Sequence, residues 1–176
     1  MMTERNIILT GFMGTGKSTI GQLVADRLGR EFVDMDTLIE QREGRSIPQI
    51  FAESGEPYFR RLEASLCREL SAPRGLVIAT GGGALVPEAN LRAMEAGGLV
   101  ICLDCQPAEL WRRIGQSDNR PMLAEQDEGR FARLSNLLKQ RGPAYARIPH
   151  HLDVTHLTPA QAAEQICVMV QKQEMG

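Results

Sequence analysis

The stretch Gly11-Phe12-Met13-Gly14-Thr15-Gly16-Lys17-Ser18-Thr19 directly follows the apolar run Ile7-Ile8-Leu9. It fills every fixed position of the phosphate-loop pattern G-x-x-x-x-G-K-[ST]. A chain that wraps a polyphosphate must aim several backbone N–H groups inward together, and glycines at 11, 14 and 16 permit the backbone angles and close approach this requires. The helix opened by Lys17 turns its positive dipole end toward the anion. Lys17 adds a mobile point charge, and Ser18 offers a hydroxyl to Mg²⁺. Gly14, Thr15, Gly16, Lys17, Ser18 and Thr19 are therefore expected to hold ATP.

Outward from this loop, short apolar strands alternate with helical patterns. Strands are expected over 6–10, 31–33, 76–79, 99–103 and 151–154, and helices over 17–28, 87–96, 107–114, 127–146 and 158–171. Such alternation predicts an α/β fold, a five-stranded parallel sheet with helices on both faces. Ligands in these folds bind beyond the carboxyl ends of the strands. The phosphate loop, Asp34-Met35-Asp36 and Gly81-Gly82-Gly83 each follow an expected strand. Residues 36–72 interrupt the alternation with helical patterns alone and read as a helical insertion. Its carboxylates, Glu53, Glu56, Glu63 and Glu69, argue against a DNA-binding helix pair. The polar, proline-bearing stretch 115–126 has the composition of a lid.

With 176 residues, 43% of them hydrophobic, the chain is expected to form one domain, 1–176, with a single sizeable core. A formal charge of −2 and the lack of a basic block predict no nucleic-acid partner. No run approaches the roughly 20 apolar residues of a membrane span, and no signal segment precedes the first strand, so a cytoplasmic location is expected. Four cysteines include the pair Cys102 and Cys105. Cys102 lies inside an apolar run and reads as a packed side chain, and adjacent His150 and His151 would point to opposite faces of a strand. Metal binding is not expected at either place. No apolar seam compels an oligomer, so a monomer is expected.

The acceptor must be read from the other clusters. In Asp34-x-Asp36 an extended backbone would aim both carboxylates to one side, one near Mg²⁺ and one able to take a proton from an acceptor hydroxyl. Three consecutive glycines at a strand end imply close approach of a ligand or helix. Beside a triphosphate, Arg60, Arg61, Arg120 and Arg141 suggest charge stabilisation and bidentate capture of a carboxylate.

Taken in order, the phosphate loop, Phe32-Val33-Asp34-Met35-Asp36, Ile47-Pro48-Gln49-Ile50-Phe51, Phe59-Arg60-Arg61-Leu62-Glu63, Thr80-Gly81-Gly82-Gly83, Asn119-Arg120-Pro121-Met122-Leu123 and Arg141-Gly142-Pro143-Ala144-Tyr145 resemble the motif set of shikimate kinases. The resemblance spans residues 6 to about 160. It implies a nucleoside-monophosphate-kinase-like fold with strand order 2-3-1-4-5 and transfer of the γ-phosphoryl of MgATP to the 3-hydroxyl of shikimate, a step toward chorismate and the aromatic amino acids. It further implies that Lys17 binds the β- and γ-phosphates and that Ser18 and Asp34 serve Mg²⁺. Asp36 would hold shikimate hydroxyls and accept the proton. Arg60 and Arg141 would bind its carboxylate, Gly82 would contact it through the backbone, and Arg120 would neutralise the transferring group. Arg113 and Pro159 would flank adenine. Two alternatives stay open: a kinase of another polyol acid such as gluconate, and a non-catalytic ligand-sensing module.

Overall fold

The computed structural model describes residues 4–117 and 124–176, with the side chains of residues 116–127 left out of the description. Its element order is β1 (Asn6–Gly11), α1 (Lys17–Leu28), β2 (Glu31–Asp34), α2 (Met35–Glu43), α3 (Ile47–Ser54), α4 (Glu56–Leu70), β3 (Leu76–Ala79), α5 (Glu88–Gly97), β4 (Gly98–Asp104), α6 (Pro107–Ser117), α7 (Ala124–Ala146), β5 (His150–Asp153) and α8 (Pro159–Met175). The five strands form one parallel sheet in the order β2-β3-β1-β4-β5.

Side chains along β1 and β4 alternate between two cores, as the two-residue period of a strand requires. Ile8, Val100 and Cys102 face the cluster that holds Met35, Ile50, Phe59, Leu66 and Met94 from α2 to α5. Ile7, Leu9, Ile101 and Leu103 face the cluster that holds Ile20 and Val24 of α1 and Ala162 and Ile166 of α8. Each large aliphatic side chain buried this way contributes about 1.5–3 kcal/mol of transfer free energy. Helices on both faces leave the loops at the carboxyl ends of the strands as the place for a ligand.

Local chemistry sets the helix starts. Ser46 and Gln49 form a reciprocal capping box at α3, and Thr158 and Gln161 form another at α8, each followed by a proline in the first turn. Helix α1 begins at Lys17 with Gly16 in the left-handed region at φ 92° as its N-cap. One expectation about backbone is corrected here. Asp36 does not extend strand β2: the helix α2 begins at Met35, and Asp34 is its N-cap, its carboxylate accepting from the Thr37 N–H at 3.0 Å. The capping preference of aspartate overrides continuation of the strand.

The three crossing segments are tied together at the opposite end by one buried side chain. Asn6 Nδ2 donates to Leu70 O at 3.1 Å and Pro73 O at 2.8 Å, and its Oδ1 accepts from Leu76 N–H at 3.0 Å. It thereby fixes the end of α4 and the start of β3 against β1. Replacing Asn6 by Ala leaves all three backbone groups without this partner in a buried place, and each orphaned group costs about 1–3 kcal/mol. Asn6→Ala is expected to lose about 3 kcal/mol or more in urea unfolding monitored by circular dichroism; a loss under about 0.5 kcal/mol would show that this clamp is not structural.

Candidate active site

The phosphate loop leaves β1 at Gly11 (φ 139°), and Gly14 and Gly16 also take positive φ, so its backbone traces a path that other residues adopt only with strain. The loop is closed from within. Thr15 Oγ1 donates to Phe12 O at 2.8 Å, and Lys17 Nζ donates to Gly11 O at 2.8 Å and Phe12 O at 2.9 Å. A cavity of about 560 Å³ opens over it, lined by Gly14, Gly16, Lys17, Ser18, Thr19, Asp34, Asp36, Thr80, Gly82 and Arg113 among others. Burial lowers Lys17 to about 8, against the opposing pull of Asp36. The charge on this ammonium is thus weakly held, and a polyanion restores it.

Two carboxylates meet the loop, although from a strand end and a helix start rather than from one strand. Ser18 Oγ donates to Asp34 Oδ2. Asp36, in the first turn of α2, is pushed above the ordinary aspartate range, chiefly by burial and then by neighbouring Asp34, with Lys17 opposing. A carboxylate poised this way is a stronger proton acceptor once ionised. Thr80 lines the same cavity, its Oγ1 buried and with no protein partner among the described residues.

The triglycine turn owes its composition to crowding. None of Gly81, Gly82 and Gly83 has positive φ, but a Cβ at Gly81 would lie 2.9 Å from both Asp36 Oδ1 and Glu63 Oε2. At Gly82 it would lie 2.8 Å from Arg141 Nη1, and at Gly83 2.7 Å from Arg60 Nη1. Four charged side chains, from α2, α4 and α7, therefore converge on bare backbone. Arg60 donates to Glu63 at 2.5 Å and more loosely to Glu56 at 3.2 Å. Glu63 is 2% exposed and is pushed up by burial, with Arg60 opposing. Arg141 sits over the Phe12 ring, its guanidinium carbon 5.5 Å from the centroid, which joins the turn to the phosphate loop. Arg61 points elsewhere, over Tyr58.

A second groove runs on from the loop between α6 and the β5–α8 connection. It is lined by Gly14, Thr15, Gly16, Thr19, Arg112, Arg113, Thr155, His156, Thr158 and Pro159, among others. Arg113 Nη2 donates to Val154 O at 2.9 Å and its Nε to Glu109 at 2.9 Å, so the guanidinium is held flat along the groove by both elements. The connection itself is braced by Asp153, whose carboxylate accepts from the Thr155 hydroxyl and N–H. Arg120 and the middle of the expected lid, residues 118–123, lie outside the described residues.

Several members of this constellation were legible only as parts of motifs. Glu63 stands three residues after Arg60, the helical spacing that pairs them, and Tyr145 stands four after Arg141. Phe12, a variable position of the phosphate loop, carries no signal for its place under Arg141. Elsewhere, Cys102, Asp104 and His151 bring ligand-type atoms within 4.8 Å of one another. His151 Nδ1 lies 2.8 Å from Asp104 Oδ2 and Nε2 lies 2.8 Å from Ile148 O. Burial pushes the Cys102 thiol up to about 12. Cys105 stands apart, beside Thr155.

A parallel 2-3-1-4-5 sheet whose first strand feeds a glycine-rich loop and a lysine-led helix, with a carboxylate pair across from it, defines a P-loop kinase of the nucleoside-monophosphate-kinase type. The shikimate kinase family model matches residues 13–171. Among individual proteins, a shikimate kinase of Thermodesulfovibrio yellowstonii is 39% identical over 162 residues, 92% of each chain. Another, of Geobacillus thermodenitrificans, is 43% identical over 94% of this chain and 88% of its own. The solved structure of Acinetobacter baumannii shikimate kinase in complex with shikimate superposes with a TM-score of 0.86 at 32% identity, covering 99% of this chain and 97% of that one. A gluconokinase of Sinorhizobium meliloti, at 16% identity and TM-score 0.65, shares the fold alone. The chain belongs to the shikimate kinase family and is an ATP-dependent small-molecule kinase.

The lowered Lys17 has a measurable consequence. Because bound phosphates favour its ammonium form, the nucleotide complex holds a proton that the free protein loses as pH rises through about 8. Nucleotide affinity is expected to weaken above that pH. At pH 8, calorimetry of ADP binding in two buffers of different ionisation enthalpy should report uptake of about half a proton. Lys17→Arg, whose charge is permanent, should abolish the uptake; uptake that persists in this variant would assign the proton to another group.

Proposed function

We propose that the chain transfers the γ-phosphoryl group of MgATP to the 3-hydroxyl of shikimate, giving shikimate 3-phosphate and ADP. The observation that carries this reading is the convergence of Arg60, Arg141 and Asp36 on the triglycine turn, one face of which opens onto the phosphate loop. Two guanidiniums match a carboxylate at one end of a small acceptor, and a carboxylate matches hydroxyls at the other. Gluconate shares the carboxylate and hydroxyls, but the family match favours the carbocyclic acid. Lys17, Ser18, Asp34 and Asp36 stand together in working geometry, which supports a catalyst over a sensing module.

ATP would lie along the two connected grooves. Its base would rest between Arg113 and Pro159, and its phosphates on the N–H groups of Gly14, Thr15, Gly16, Ser18 and Thr19 at the start of α1. Lys17 would move from the carbonyls of Gly11 and Phe12 to the β- and γ-phosphates. Mg²⁺ fits the hard oxygen donors gathered here: the Ser18 hydroxyl and Asp34 carboxylate would hold it or its waters. When bound, the ion neutralises charge on the β- and γ-oxygens.

Arg60 and Arg141 would capture the acceptor carboxylate and so fix the ring. Asp36 would then accept a hydrogen bond from the 3-hydroxyl, hold it in line with the γ-phosphorus, and take its proton as the new oxygen–phosphorus bond forms. Lys17 would balance charge on the departing β-phosphate oxygen. Arg120 is proposed to neutralise the transferring phosphoryl group, within a lid formed by residues 115–126. Residues 36–72 are proposed as the acceptor-binding insertion of one kinase domain, 1–176. A fixed acceptor in place of water limits wasteful hydrolysis of ATP. No described helix is long and apolar enough to cross a membrane. A cytoplasmic monomer without nucleic-acid partners completes the proposal.

Coupled ADP-release assays separate the readings. Shikimate is expected to stimulate ADP release strongly; stimulation by gluconate alone, or shikimate binding without turnover, would overturn the assignment. Asp36→Asn should lower kcat by about 10²-fold or more, the scale of lost general-base catalysis. Wild-type kcat in that variant would remove Asp36 from the chemistry. Lys17→Ala is expected to abolish turnover in the same assay.

A further inference from the structure

The peptide joining Gly82 to Gly83 is a bar between two guanidiniums. Arg141 crowds the Cα of Gly82 and Arg60 crowds that of Gly83. With no side chain on either residue, the rotation of this peptide is restrained by hydrogen bonds alone. Tyr145 provides one. Its hydroxyl donates to Gly82 O at 2.6 Å, a short bond for two neutral groups, and it lies close enough to the Arg141 side chain for the guanidinium charge to act on it. Tyr145 is 9% exposed, and its ring belongs to the same core as Phe12, the residue beneath Arg141. One hydroxyl therefore holds the turn and stands beside one of the two arginines. Gly142 and Pro143 lie between Arg141 and Tyr145 within α7, so both side chains leave the same helix one turn apart.

We infer that Tyr145 is a positioning residue for acceptor recognition: its hydroxyl fixes the orientation of the Gly82–Gly83 peptide and the direction of the Arg141 guanidinium, and thereby sets how the two arginines address a carboxylate. The inference rests on the proposed reading of Arg60 and Arg141 as the carboxylate site. Without the hydroxyl, Gly82 O loses its donor and Arg141 loses a polar neighbour beside the glycine it crowds, so the guanidinium samples other directions and a planar, two-pronged contact is formed less often. The nucleotide groove, bounded by α6 and the β5–α8 connection, lies away from this bond. The effect is therefore confined to the acceptor.

The test uses the full-length protein with MgATP and shikimate. Tyr145→Phe keeps the ring and is expected to raise the KM for shikimate about tenfold, with kcat within about twofold of wild type and the KM for MgATP unchanged. In an Arg141→Ala background the same change should add nothing further, because the two groups act as a unit. An unchanged KM for shikimate in Tyr145→Phe, or equal shifts in kcat and both KM values, overturns the inference when Arg141→Ala itself raises the KM for shikimate. If Arg60→Ala and Arg141→Ala both leave that KM unchanged, the carboxylate-site reading fails instead. A measurement needing no variant closes the case. The chain has two tyrosines, Tyr58 and Tyr145, so ¹³Cζ-labelled wild-type protein gives two resonances. Saturating shikimate is expected to shift that of Tyr145, and a static Tyr145 resonance counts against it.

Discussion

The parallel pairing of β1 with β3 is the constraint on which the site depends. It sets Leu9 beside Ala79, and the Thr80 N–H continues the ladder by donating to Leu9 O at 3.0 Å. The chain leaves both strands at the same height. One exit is Gly11 and the phosphate loop; the other is Thr80 and the triglycine turn. Slipping this register by a residue would send Ile7, Leu9 and Val77 into the wrong core and would separate the two loops by a strand step. The apolar pattern that builds the sheet is thus also what sets the phosphate loop beside the triglycine turn.

Around that junction the charges are arranged so that each is answered. Lys17 faces Asp36, Asp36 lies beside Glu63 across Gly81, Glu63 holds Arg60, Arg141 sits over Phe12, and Tyr145 holds Gly82. Burial drives Lys17 toward its neutral form and Asp36 and Glu63 toward theirs. Water would quench these tendencies at an exposed site. Here they leave a pocket in which a bound polyanion restores the charge on Lys17 and a bound cation restores the charge on Asp36 and Glu63.

Much of this was written in short-range patterns. The phosphate loop could be read because backbone wrapping of an anion demands glycine at fixed spacings, and the helix start at Thr158 because capping is decided within four residues. The same short range explains the misreading at Asp34-Met35-Asp36. Two carboxylates two residues apart suggest one face of a strand, whereas Asp34 caps a helix that begins one residue later. The triglycine was recognisable as a place of close approach. That four charged side chains make the approach was not, since they arrive from α2, α4 and α7, separated by up to about a hundred residues.

What the chain alone determined is everything governed by local stereochemistry and period: the alternation of strands and helices, the phosphate loop, the caps, and the residue types available for chemistry. What only the tertiary structure decided is adjacency. The seat of Arg141 over Phe12, the hydroxyl of Tyr145 on Gly82 and the grouping of Arg60 with Glu63 under Gly81 and Gly83 all follow from how separate helices settle on one sheet. The physical reason is that long-range contacts are selected by the burial of whole apolar faces, which no single segment contains.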